Sequence, residues 1–248
     1  MTRFICAALL TGVLTLANAS NGDISRVNGS IRVTAEEPAG DVSTVNGSIH
    51  IEDGGRAEDV ETVNGSISIG ADAVVGSIET VNGRVSFGQG ARAEAVDTVN
   101  GSVTLADKTQ VTGPVGTVNG GVLLAPNVNV AGDVTNVNGK ISLDHAQVGG
   151  GLRTTNGDIE VGAGARVAGR ILVEKPNASW FWRKQRVPQI VIGPGAVVEG
   201  TLKFEREVEL YVSESAKIGA VEGAKPVMFS GDEPGRTADR AAEPQVEK

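Results

Sequence analysis

Side chains that carry chemistry are scarce in this 248-residue chain, which has one cysteine, two histidines and 3% aromatic residues. A single cysteine, Cys6, excludes a disulfide framework. The histidines, His50 and His145, lie five repeats apart, which is roughly 24 Å at the spacing of stacked strands. They cannot share a site, and nucleophilic catalysis needs a base within hydrogen-bond reach of its nucleophile. Positive charge is also short, with 22 Lys and Arg against 30 Asp and Glu. An acidic balance argues against nucleic acid as a partner and favours solubility.

A repeat is abundant instead. Val-Asn-Gly recurs at Val27, Val45, Val63, Val81, Val99, Val118 and Val137, with an altered copy at Thr155. The starts are 18, 18, 18, 18, 19, 19 and 18 residues apart. A short, nearly fixed period marks a solenoid, in which each repeat adds one coil. Counted from each valine as position 0, position 4 is Ile31, Ile49, Ile67, Val85, Val103, Val122, Ile141 and Ile159, and position 6 is equally apolar. Two apolar columns around a polar one give the period of a strand with one buried face. A second side carries Ala39, Ala57, Val75, Ala93, Val111, Val130, Gly149 and Val167 at position 12, and a third carries Val42, Val60, Ile78 and their equivalents. The fold class that follows is all-β: a single-stranded, three-sided parallel β-helix. Some ten or eleven coils make a rod roughly 50 Å long, for which few aromatics and 34 glycines suffice.

The corners have a physical rationale. Asn-Gly readily takes positive φ, as a tight change of direction requires. Asn28, Asn46, Asn64, Asn82, Asn100, Asn119, Asn138 and Asn156 should stack as a ladder of bonded amides. A polar binding strip is the other reading of these asparagines, but it does not account for the period. A threonine column (Thr44, Thr62, Thr80, Thr98, Thr117 and Thr154) precedes the valines. Strict alternation sends Thr and Asn inward and the valines outward; the expectation is that a bend at Thr-Val resets the phase and buries the valines. Without it, the valines form an exposed stripe suited to lateral association.

Residues 1–19 read as a secretory signal peptide, with Arg3, an apolar run Phe4 to Leu16, and the cleavage motif Ala17-Asn18-Ala19. That run is short for a membrane span. The mature chain from Ser20 has no cysteine, so stability rests on the stacked coils. The β-helix is assigned to 20–230, interrupted by an aromatic and basic loop at 174–189, and the polar segment 231–248 reads as a disordered tail.

The unit V-N-G-S-I-x-I, at Val27, Val45 and Val63, resembles the β-helical adhesin-type repeat domains of bacterial proteins, over residues 24–172. The segment Ile190 to Leu202, IVIGPGAVVEGTL, is similar to the coils of bactofilins, polymer-forming cytoskeletal proteins. The bactofilin resemblance implies a right-handed coil and self-assembly, although bactofilins are typically cytoplasmic and this chain carries an export signal. The same segment resembles hexapeptide acyltransferase coils, but no histidine lies near it to serve as base.

Two clusters remain. Glu61, Glu79 and Asp97 share position 16 in consecutive coils, with Asp41, Asp59, Glu58 and Glu94 nearby; the readings are a solvated acidic face or a weak Ca²⁺ site. Trp180, Phe181, Trp182, Arg183, Lys184 and Arg186 combine rings and positive charge, which suits local cover of the solenoid, a partner contact or a membrane interface. The expectation is an exported, non-enzymatic β-solenoid of the bacterial cell envelope, periplasmic or at the cell surface, with a structural, adhesive or self-assembling role. It needs no cofactor, catalytic residue or metal, and its partners are other copies of itself or envelope components. The alternatives are a peripheral membrane module using Trp180–Arg186 and a carbohydrate-active β-helix enzyme.

Overall fold

A computed structural model describes residues 22–176, 186–231 and 234. Among them there is no helix, and every strand pairing is parallel, between a strand and its equivalent one coil away. Three sheets form the sides of a β-solenoid, two of eleven strands and one of seven. The first face runs from Ile24–Asn28, Val42–Asn46 and Val60–Asn64 up to Val221–Glu222. The second runs from Ile31–Val33 to Val227–Phe229, and the short third face from Arg92–Ala93 to Lys217–Ile218.

The interior is built from unbroken columns. Ile31, Ile49, Ile67 and Val85 pair in register on the second face, as do Val42, Val60 and Ile78 on the first. All are buried. On the third face a second inward column accompanies position 12: Ala73, Ala91, Thr109, Val128, Ala146, Ala165 and Ala196. These residues are small because this face is short and its corners bring three walls together. Thr109 tolerates the interior by donating its hydroxyl to the Ala106 carbonyl, at 2.7 Å.

Three expectations need correction. Gly149 is exposed, and Val148 takes the core position, in register with Val130. The valine columns are not buried by a bend. Alternation on the first face continues through Thr-Val and breaks only at the exposed asparagines, so Thr44, Thr62, Thr80, Thr98 and Thr117 point inward at 4–5% exposure and the following valines stay partly exposed. Buried threonine costs little here because each hydroxyl has an acceptor, the glycine carbonyl of the preceding coil, as in Thr62 to Gly47 O at 3.0 Å and Thr117 to Gly101 O at 2.9 Å.

Positive φ, finally, is not what the repeated Asn-Gly corners use. Of the Val-Asn-Gly glycines only Gly29 and Gly139 have it. The left-handed column lies at the next corner, between second and third faces: Gly54, Asp72, Gly90, Lys108, Asn127, His145, Gly164 and Gly195. Glycine is needed after asparagine for close approach. A Cβ on Gly83 would lie 2.6 Å from the carbonyl carbon of Gly65 in the coil before, well inside van der Waals contact.

Candidate functional site

Alternation through Thr-Val on the first face leaves two outward rows at the strand spacing. One is the valine row: Val27 is 49% exposed, and Val45, Val63, Val81, Val99, Val118 and Val137 are half-buried. The other is Ser25, Ser43, Glu61, Glu79, Asp97, Gly116, Thr135 and Arg153, each in register with the next. The face is thus apolar along one line and changes from acidic to basic along the other.

The Asn row borders this face. Seven Nδ2 to Oδ1 bonds of 2.8–3.1 Å link Asn28 through Asn156, and each amide donates to the coil before. The amides therefore point one way, and the last acceptor, Asn156 Oδ1, receives Arg206 Nη1 at 2.7 Å. Arg206 also donates to Thr155 O and Arg186 O, both at 3.0 Å. Burial lowers its pKa from the usual guanidinium value. It comes from the corner two coils further on, where no repeat copy flags it, and for that reason the sequence reading missed it.

The carboxylates divide into two roles. Asp41 N donates to Asp23 Oδ1 at 3.1 Å, Asp59 N to Asp41 Oδ1 at 3.3 Å, and Ser77 N to Asp59 Oδ1 at 3.0 Å. These aspartates tie a corner of one coil to the amide of the next, and their 18-residue spacing is the signal that could have assigned them. Glu61, Glu79 and Asp97 instead line up unbridged. Burial, then the charges of Glu79, Asp59 and Asp41, holds the Glu61 carboxyl above its ordinary pKa. Burial, then Asp97 and Asp59, does the same to Glu79, and burial alone raises Asp97. Among the described residues no three His, Cys, Asp or Glu side chains converge in a metal-binding arrangement.

Trp180, Phe181, Trp182, Arg183 and Lys184 lie outside the described residues, as do residues 1–19, expected to be a signal peptide, and nearly all of the segment 231–248, expected to be a tail. Of the aromatic and basic patch, Arg186 is described, and its guanidinium is paired with Asp158 Oδ2 at 2.6 Å. His50 sits in the outward row of the second face, between Arg32 and Ser68. His145 occupies a corner, with Nδ1 2.6 Å from Asp144 Oδ1. The structure does not bring the two histidines together. A shallow depression of about 290 Å³ lies at the corner lined by Asp133, Leu152, Arg153, Arg170 and Leu172, and Asp133 is already engaged by Gly151 N at 2.7 Å.

The chain matches no protein-family model, no curated protein and no solved structure.

Proposed function

We propose that this is an exported, non-enzymatic β-solenoid that serves the bacterial cell envelope as a structural, adhesive or self-assembling rod. The observation that carries the reading is the valine row, partly exposed and in register over seven coils of one sheet. An ordered apolar line of this kind on a sheet face is a surface for association. Catalysis, in contrast, requires groups that converge, and the polar rows here are spread along the rod. The pairing of Arg186 with Asp158 favours this face over the Trp180–Arg186 loop as the contact, since that guanidinium is already committed to the solenoid. The export and envelope parts rest on the leader-like residues 1–19.

The test is electron microscopy of the chain from Ser20, with its mass followed by light scattering against concentration. Assembly, or binding to envelope fractions, is expected in the wild type and is lost in Val63→Lys/Val99→Lys, while the melting temperature holds. Isolated rods at all concentrations, with no envelope binding, would overturn the reading.

A further inference from the structure

An Asn-Gly pair carries a latent reaction. The glycine backbone nitrogen attacks the asparagine Cγ, a new C–N bond closes a succinimide, and the Cγ–Nδ2 bond breaks. Ammonia leaves with the proton lost by the glycine nitrogen, and water then opens the ring to isoaspartate or aspartate. The attack requires a glycine N–H free of any acceptor and open to solvent.

Along this rod the corners withhold that N–H. Gly29, Gly47, Gly65, Gly83, Gly101 and Gly120 each donate to the asparagine carbonyl of the next coil, at 2.9–3.1 Å. Gly157 donates to Thr154 Oγ1 at 2.9 Å. Gly139 is the exception: among the described residues its N–H has no acceptor. Gly139 and Asn138 are both exposed, and Gly139 sits at φ 131°. The cause lies one coil on, in the altered repeat. First-face pairing there stops at Thr135↔Arg153, and Asn156 N donates to Val137 O at 2.8 Å. The chain has shifted before Asn156 can offer its carbonyl to Gly139.

We infer that Asn138–Gly139 is the modification site of this solenoid, a pair primed for spontaneous deamidation while its companions along the ladder are held unreactive. Conversion there replaces an amide that donates to Asn119 Oδ1 at 2.8 Å and accepts from Asn156 at 3.1 Å. The product carboxylate cannot make the first of these bonds, so the ladder opens between Asn119 and Asn138, while the bond from Asn156 of the altered coil is kept.

The experiment ages the full folded chain in mildly alkaline buffer and maps peptides by mass spectrometry, with isoaspartate read by enzymatic methyl transfer. Asn138 is expected to convert about fivefold faster or more than Asn64, Asn82 or Asn100, the factor for releasing one neutral hydrogen bond first. In denaturant, where all the pairs share nearly the same neighbours, the difference should collapse. Equal rates in the folded chain would overturn the inference. So would a difference that persists in denaturant, or an exposed but hydrogen-bonded Asn28–Gly29 reacting as fast as Asn138.

Discussion

Replacing Gly83 by alanine tests whether close approach, rather than backbone conformation, demands the repeated glycine. An alanine Cβ at this position meets the Gly65 carbonyl group, with the carbonyl carbon at 2.6 Å and Ser66 Cα at 3.2 Å. Carbon atoms rest at roughly 3.5–4.0 Å, so the coils must part by nearly 1 Å against a strand spacing of about 4.8 Å. The obstacle is backbone, so no rotamer change relieves it. The hydrogen bonds Gly83 N to Asn100 O, at 3.1 Å, and Thr98 Oγ1 to Gly83 O, at 3.3 Å, lie at the same place. A cost of about 3 kcal/mol or more is expected, the upper range for overpacking. Gly195→Ala is the contrast: it has positive φ but nothing within 4 Å of its Cβ, so it should cost only the left-handed penalty of about 1–2 kcal/mol. Solenoid coils can open locally, so thermal melting should be read together with hydrogen exchange, and the loss of protection should centre on residues 65–101. A Gly195→Ala variant as unstable as Gly83→Ala would refute the close-approach argument.

Three further outcomes follow from the same geometry. Ile67→Asp places a carboxylate at a fully buried site and should cost several kcal/mol, whereas Ser68→Asp, on the outward side of the same strand, should shift the melting temperature little. The raised pKa values of Glu61, Glu79 and Asp97 mean that the folded chain holds protons more tightly than the unfolded one. Their contribution to stability is therefore present below the unfolded carboxylate range and is lost as pH rises through the folded values; melting temperature should rise on mild acidification, and Glu79→Gln should raise it at neutral pH and flatten that profile. Arg206→Leu removes the donor to Thr155 O, Asn156 Oδ1 and Arg186 O and should cost about 1.5–3 kcal/mol, as for bonds to a charged group, with exchange protection falling first at 155–158 and 186–190.

The coil was legible because period and polarity pattern agree at every repeat, and the Ile67 and Ile69 columns fall where alternation puts them. The errors arise where counting residues cannot see geometry. Relative to its neighbours, the chain from Leu143 to Val148 is one residue shorter than from Leu124 to Val130, as the pairings Leu124↔Leu143 and Val130↔Val148 require. The following corner, Val148 to Leu152, is as long as Val130 to Val134 in the coil before, so the missing residue is not made up there, and Gly149 falls at position 12 by count although Val148 fills the core. The threonine phase was missed for a different reason. A buried hydroxyl looks costly until its acceptor, the glycine carbonyl one coil back, is known, and that partner is 15 residues away in sequence. Arg206 was invisible to the repeat pattern because its contacts, with Thr155 and Asn156, span some fifty residues and two coils.

The corner between Val173 and Gln189 has a wider consequence. The coil that contains it is lengthened by a whole segment, yet Ile159 still pairs with Ile190, Val167 with Val198 and Ile171 with Leu202. Neighbouring coils sense one another through strands and not through the length of chain that joins them. Length at such a corner is free of the constraint that a single residue added inside a strand would violate, by turning every later side chain to the opposite face. The rod is therefore a scaffold with built-in graft points, where a foreign peptide spliced after Val173 changes what is displayed at one height and leaves the coils above and below in step.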